Sequence, residues 1–214
     1  MLMQRNGVIF DLDGTLWDVT DVTLSSADEI TAKRGLPSVS KAAVLNSFGL
    51  TKEGSAANFF PDMPLKESVP LIEEIISRNI DNLFVKGGNL YPDLTAALAE
   101  LKCDYDLFIV TNSPQRRYAE SFIVTSHTEE YFKNCFSAGE LGMSKADAIA
   151  KIVTDYKLPR AVYVGDTQTD YDSAAEAGIA FIYADYGYGH INGAEFTVSG
   201  LKELPAAVKR VFSK

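Results

Sequence analysis

The chain lacks any apolar run approaching the ~18 to 20 residues that a bilayer-spanning helix needs, which argues against a helical membrane protein within its 214 residues. It also lacks a basic surplus, since 20 Lys and Arg against 29 Asp and Glu leave a net charge of -9. Nucleic acid and anionic membrane surfaces are therefore not expected as partners, because both need a basic face. A small anion stays open, because a few side chains can make a locally positive site inside an acidic protein. Cysteine is scarce. Cys103 and Cys135 lie in no CxxC and near no histidine cluster, so zinc and redox chemistry are not expected and both are read as buried free thiols. His127 and His190 are the only histidines and are read as surface or satisfied core residues. The opening MLMQRNGVIFD has no signal-peptide pattern, since its short apolar run leads straight into acidic residues. Internal repeats and low-complexity tracts are also missing, and a cytoplasmic protein is expected.

What is present is an alternation of short β-rich runs with helical ones. The expected strands are GVIFD (7 to 11), DLFIVT (106 to 111), CFSA (135 to 138), AVYVG (161 to 165), IAFIYA (179 to 184) and EFTV (195 to 198). Several are nearly all apolar, as strands covered on both faces of a parallel sheet are. The expected fold class is α/β, with a doubly wound parallel-sheet, Rossmann-like core. Helix starts are expected at Ser113-Pro114, at Ser144 with Asp147 and at Thr169 with Asp172, the last helix stopping at Gly178.

One interval breaks the alternation. From Asp18 to about Gly88 the segments DVTLSSADEITAKRG, SKAAVLNSFG, TKEGSAANFF and LKESVPLIEEIISRNIDNLF all read as helix. Pro70 and Gly87-Gly88 mark expected bends. The expected organisation is therefore a core formed by residues 1–17 and 89–214, with an inserted α-helical cap domain at residues 18–88.

Asp11 and Asp13 close the first strand, where ligands of open α/β sheets bind. Gly14 permits a tight bend beside them. Other strand ends add Thr111 and Gly165-Asp166 to the same edge. Two carboxylates 4 Å apart repel by roughly 4 kcal/mol at an effective dielectric of 20, so such a cluster calls for a cation. Mg²⁺ is favoured, because it takes one or two carboxylates together with substrate phosphate and water. Taken singly, Asp11 and Asp13 also suit a turn in which aspartate bonds its own backbone. Asp166 and Asp170 together argue against that reading.

With these residues in view, the chain resembles the haloacid dehalogenase superfamily, in its helical-cap phosphatase branch, and is similar to phosphoglycolate phosphatases. FDLDGTLWD resembles the first motif of that family, IVTNS the second, the lysine of GMSKADAI the third and VGDTQTDYDSAAEAG the fourth. The resemblance implies a phosphomonoesterase acting on a small phosphorylated metabolite through a phosphoaspartyl intermediate. It makes Asp11 the nucleophile and Asp13 the general acid and base, with Asp13's pKa raised by neighbouring negative charge. Thr111 would bind a phosphoryl oxygen and Lys145 would offset its charge. The backbone amides of Leu12, Asp13 and Asn112 would complete the phosphate cradle. Asp11, the backbone carbonyl of Asp13 and Asp166 would hold Mg²⁺, with Asp170 acting through water or by orienting Lys145. The family commonly has proline after this lysine, whereas Ala146 stands here.

Within the cap, FGLTKEGSAANFF is the candidate substrate-facing stretch. Lys52 is the candidate substrate-binding residue, beside Glu53 and Arg34, since a small anionic substrate favours a cation there. Trp17, Phe59 and Phe60 are read as packing residues, and Arg116 and Arg117 as helix-surface charges. Two alternatives stay open. β-Phosphoglucomutase-like phosphotransferases resemble this chain but carry a histidine soon after the first motif, where DVTLSSADEI has none. Receiver-like regulatory domains accept phosphate on an aspartate but lack a helical insertion. Phosphonatases typically have a small residue at the Asp13 position, although Lys33, Lys41 or Lys52 would be available for Schiff-base chemistry. A monomer and a homodimer are equally compatible with the sequence.

Overall fold

Runs that are apolar at every position can settle only between two covered faces. A computed structural model, which describes residues 4–214, arranges them so. Residues 1–3, which open the expected core segment 1–17, lie outside the described residues. In chain order, β1 (Gly7–Phe10) and the short β2 (Trp17–Asp18) lead into α1 (Thr20–Lys33), α2 (Lys41–Leu45), α3 (Lys52–Phe59) and α4 (Leu65–Lys86). The chain returns through β3 (Asn89–Leu90) and α5 (Leu94–Asp104) to β4 (Asp106–Thr111), α6 (Arg116–Ser126) and β5 (Phe132–Ser137). It continues with α7 (Ala138–Leu141), α8 (Lys145–Asp155), β6 (Ala161–Gly165), α9 (Gln168–Glu176), β7 (Ala180–Ala184), β8 (Thr197–Val198) and α10 (Leu204–Ser213).

Six strands form one parallel sheet in the order β5-β4-β1-β6-β7-β8. Successive side chains point to opposite faces, and each face has its own core. Val8, Phe10, Leu107, Ile109, Val162 and Val164 meet α5, α6 and α10 on one side. Ile9, Phe108, Val110, Tyr163 and Phe181 meet α8 and α9 on the other. This is the doubly wound arrangement, and it covers both faces of every central strand. The chain leaves β1 toward β4 and later crosses back to β6, so the order reverses beside β1. That reversal opens a crevice beyond the carboxyl end of β1.

Helices α1 to α4 form the inserted layer, with a separate core of Ala27, Val44, Ala56, Phe60, Ile72 and Ile75. A buried polar seam sets how α1 and α4 register. Asn79 Nδ2 donates to Thr23 Oγ1 at 3.2 Å and Asn82 Nδ2 donates to Ser26 Oγ at 2.9 Å. Further along α4, Ile80 and Leu83 leave this layer and join the sheet-face core with Trp17 and Phe122. One helix is thus packed into both layers. No described helix is long and apolar enough to cross a membrane.

Several local expectations are corrected. β1 ends at Phe10 rather than Asp11, although the Asp11 amide still donates to Val164 O at 2.8 Å. β5 begins at Phe132, before Cys135, because the Phe132 ring packs edge-on against Phe10 at 6.1 Å. β8 covers only Thr197–Val198. The antiparallel pair β2 and β3 was not expected, being too short to show any alternation; it ties together the two ends of the insertion. Gly88 beside it has no room for a side chain, since a Cβ would lie 2.8 Å from Trp17 Cε3. Pro70 lies inside α4, which continues to Lys86 and stops at Gly87. Helix α6 starts at Arg116 without a side-chain cap, because Ser113 Oγ instead bonds Gln115 within the preceding turn. Helix α9 is capped by Thr167 with Asp170, two residues before the expected pair. Cys103 is exposed rather than buried, on the outer side of α5.

Because Ile80 is fully buried where α4 joins the sheet-face core, Ile80→Ala is expected to destabilise the protein by about 2 to 5 kcal/mol. Urea unfolding followed by tryptophan fluorescence measures this. A loss well under about 1 kcal/mol would mean that α4 is not docked on the sheet as described.

Candidate active site

The parallel register brings the ends of β1, β4 and β6 level, since Phe10 pairs with both Ile109 and Val164. Asp11, Thr111 and Asp166 therefore emerge at one edge from segments far apart in the chain. The carboxylates of Asp11, Asp166 and Asp170 are buried and offer oxygens that all lie within 4.8 Å of one another. Lys145, itself buried at the first turn of α8, donates from Nζ to Asp11 Oδ1 at 2.8 Å and to Asp170 Oδ1 at 2.6 Å. The Ser144 hydroxyl caps that helix by accepting from Asp147 N at 3.0 Å. Ala146 in place of proline leaves the helix start intact, with the lysine turned inward.

Asp170 does two jobs with its two oxygens. While Oδ1 holds Lys145, Oδ2 accepts from Thr167 N at 2.9 Å, Thr167 Oγ1 at 2.7 Å and Asp166 N at 3.2 Å. This reciprocal cap anchors the start of α9. Asp166 is fixed differently, accepting from Thr15 Oγ1 at 3.1 Å and from Tyr188 N at 2.7 Å. Backbone closes around it so tightly that two neighbours must be glycine. A Cβ on Gly14, whose φ is +81°, would lie 2.3 Å from Asp166 Oδ2, and one on Gly187 would lie 2.3 Å from Asp166 Cβ.

The charges shift one another in the directions this crowding dictates. Burial, followed by the neighbouring Asp170 carboxylate, pushes Asp11 well above the usual carboxylate range. Asp166 is pushed up by the same two causes in the same order. Burial pulls the Lys145 ammonium down, but Asp11 and Asp170 outweigh it and hold the group charged well beyond its ordinary value. Three carboxylates share one cation, which leaves an excess of negative charge that a hard divalent ion would neutralise. Asp11 and Asp166 suit that ion best, because Asp166 is held only by the neutral donors Thr15 and Tyr188, whereas Asp170 is already paired with Lys145 and caps the helix start.

Asp13 sits just outside this cluster. Both of its donors converge on one oxygen, with Tyr118 OH at 2.7 Å and Trp17 Nε1 at 2.8 Å from Oδ1. Oδ2 is thereby left as the proton-carrying position. Burial raises this carboxyl to about 6 against the lowering effect of the two hydrogen bonds, so it holds its proton to higher pH than an ordinary carboxyl does. Neighbouring charge, expected to be the cause, contributes through Asp170 but ranks behind burial.

Asp11, Asp13, Thr111, Asn112 and Lys145 line one side of a cavity of about 150 Å³ beneath the inserted helices. Thr111 is buried, and its hydroxyl accepts from Ser113 N at 3.2 Å. The Leu12 side chain belongs to the sheet-face core, so only its backbone is available to a ligand. Val44, Phe48, Phe59, Ile72 and Ile75 supply much of the opposite wall. Lys52 is not brought to the cavity. It pairs with Glu73 at 2.6 Å on the outside of the insertion, because α4 offers it a carboxylate there. Arg34 likewise pairs with Glu74. Phe59, expected to be packing, faces the cavity as well. Arg116 and Arg117 form surface pairs with Glu120 and Asp81, and both histidines are exposed and do not line the cavity.

Trp17, Tyr118, Thr15 and Tyr188 were not expected at the site. The loop DYGYGH did carry a signal, because two tyrosines alternating with glycines just after a strand end mark backbone pressed against a neighbour. Tyr188 uses that position fully. Its amide holds Asp166, its hydroxyl donates to Asp18 at 2.9 Å, and its ring stacks on Phe48 of the insertion at 4.4 Å.

Removing the one cation from this cluster leaves buried carboxylates uncompensated. Lys145→Met is therefore expected to lower stability by roughly 3 to 5 kcal/mol at neutral pH, measured by chemical denaturation in metal-free buffer. A variant as stable as the parent would contradict the charge arrangement described here.

A family model described as haloacid dehalogenase-like hydrolase matches residues 8–184. The phosphoglycolate phosphatase of Vibrio parahaemolyticus is 26% identical over 219 residues, spanning 92% of this chain and 93% of the relative. The N-acetylmuramic acid 6-phosphate phosphatase of Pseudomonas aeruginosa is 27% identical over 215 residues, spanning 94% of each. Among solved structures, a haloacid dehalogenase-like family hydrolase from Streptococcus pneumoniae shares the fold with a TM-score of 0.84 at 21% identity, covering 95% of this chain and 98% of that one.

Proposed function

The chain belongs to the haloacid dehalogenase-like hydrolase family, and from that premise we infer that it is a Mg²⁺-dependent phosphatase of small phosphoric monoesters that works through a phosphoaspartyl intermediate. The observation that carries this reading is the pairing of a lysine-held carboxylate, Asp11, with an adjacent carboxyl, Asp13, whose pKa is raised to about 6. One group is placed to attack and the other to give a proton.

Asp11 keeps Oδ2 for chemistry while Lys145 holds Oδ1. In the first half-reaction Oδ2 attacks phosphorus, the bond to the ester oxygen breaks, and the proton on Asp13 Oδ2 passes to the departing alcohol. In the second, the Asp13 carboxylate takes a proton from water as that water attacks phosphorus, which frees Asp11 and releases inorganic phosphate. Thr111 and the amides of Leu12, Asp13 and Asn112 cradle the phosphoryl oxygens, and Lys145 offsets their charge. Asp11, the Asp13 carbonyl and Asp166 would hold Mg²⁺, and Asp170 serves by fixing Lys145. When bound, the ion would screen the phosphoryl oxygens from the nucleophile. Residues 18–88 form a cap domain over a core made by residues 1–17 and 89–214, and the cap shields the reacting atoms from bulk water.

Phosphate release from a panel of metabolite esters, with Mg²⁺ and again with EDTA, tests this reading. Turnover is expected only with metal, and Asp11→Asn should lower kcat by about a thousandfold or more while the circular dichroism spectrum is unchanged. An Asp11→Asn enzyme of near-normal activity would refute the phosphoaspartyl route. Asp13→Asn should lose about 100- to 10,000-fold with alkyl esters and markedly less with nitrophenyl esters, whose leaving groups need no proton. Equal losses with both would point to a different acid.

A further inference from the structure

The phosphoryl end of the cavity is charged, but the other end is not. Val44, Phe48, Leu50, Phe59, Ile72 and Ile75 from the inserted helices line that end, and Thr23, Ser47, Ser55 and Asn79 are the polar side chains among them. None of these carries a charge. Among the described residues lining the cavity, Lys145 is the sole cation, and it is already committed to Asp11 and Asp170. No cation of the insertion lines the cavity, and four of them, Arg34, Lys41, Lys52 and Arg78, are paired to Glu74, Asp21, Glu73 and Glu29. A carboxylate on the substrate's alcohol portion would therefore enter an apolar enclosure with no cation to meet it, close to Asp11 and Asp13. Burying an anion under those conditions is strongly unfavourable.

Size narrows the choice further. A cavity of about 150 Å³ is of the order that encloses a benzene ring in other proteins. A phosphoryl group with a short carbon chain is of that size. The polar groups are not placed at random either. Thr23 and Asn79 come from the buried seam between α1 and α4, where Asn79 Nδ2 already donates to Thr23 Oγ1. Such a hydroxyl and amide can bond a substrate hydroxyl but cannot neutralise a full charge.

Resting on the phosphatase reading above, we propose that the site selects monophosphates of short, uncharged alcohols or diols and discriminates against esters bearing a carboxylate, phosphoglycolate included. The preference would separate this chain from the relatives named for that substrate.

The test uses a nearly isosteric pair. Phosphoglycolate and 2-hydroxyethyl phosphate differ only in a carboxylate against a hydroxymethyl group, and propyl phosphate replaces the hydroxyl with a methyl. The kcat/KM for 2-hydroxyethyl phosphate is expected to exceed that for phosphoglycolate by about 100-fold, with propyl phosphate on the favoured side. Placing a cation in the wall, as in Ser55→Lys on α3, should narrow the ratio by about tenfold, with thermal unfolding as the check that the variant is folded. Metal-dependent, Asp11-dependent hydrolysis of phosphoglycolate at an equal or higher kcat/KM in the parent enzyme would overturn the proposal while leaving the phosphatase reading intact. Failure of every ester to turn over would remove that reading, and the proposal with it.

Discussion

Three buried carboxylates around a single lysine are the constraint to which the rest of this molecule answers. Two such charges about 4 Å apart repel by roughly 4 kcal/mol at an effective dielectric of 20, and here Asp11, Asp166 and Asp170 crowd together with one Nζ between two of them. The fold tolerates this because Lys145 holds Asp11 and the backbone helps to hold the other two. Asp170 caps its own helix, Asp166 takes the Tyr188 amide, and Gly14 and Gly187 let the chain close over it. The excess negative charge that survives is the chemical resource on the proposed reading, in which it would attract a divalent cation beside the phosphoryl group.

The same enclosure separates the roles of two aspartates only two residues apart. Asp11 is restrained by a cation through one oxygen, which leaves the other aimed at the cavity. Asp13 is restrained by two neutral donors on one oxygen, Trp17 and Tyr118, and burial outweighs them in raising its pKa to about 6. Different neighbours thus hold two carboxyls of the same residue type in different ways, one by a cation and the other by neutral donors.

The insertion connects to this centre through α4 and Tyr188. The amino-terminal part of α4 contributes Ile72 and Ile75 to the cavity wall, and its later turns bury Ile80 and Leu83 against the sheet. Tyr188 reaches from the core loop to stack on Phe48 while its amide grips Asp166. The shape of the alcohol end is thus mechanically continuous with the ion site, and selectivity and chemistry share one rigid frame.

Much of this was legible in the chain. Apolar runs such as VIFD and LFIVT announce covered strands, and aspartates at their ends announce a site, because period-two burial and strand-end placement are local consequences of sequence. The helical insertion was legible for the same reason. Tyr118 and Trp17 were not, since nothing near Tyr118 hints that its hydroxyl meets an aspartate 105 positions earlier. Lys52 looked like a substrate ligand until α4 brought Glu73 beside it from 21 residues away. By itself the sequence determined the alternation of elements, the identity of the acidic residues and the family they resemble, all of which are written in short-range pattern. Only the tertiary structure decided which oxygen is free, which carboxyls have their pKa raised and which cations are spent outside the cavity. Those depend on burial and on partners that long-range packing alone brings within hydrogen-bond distance.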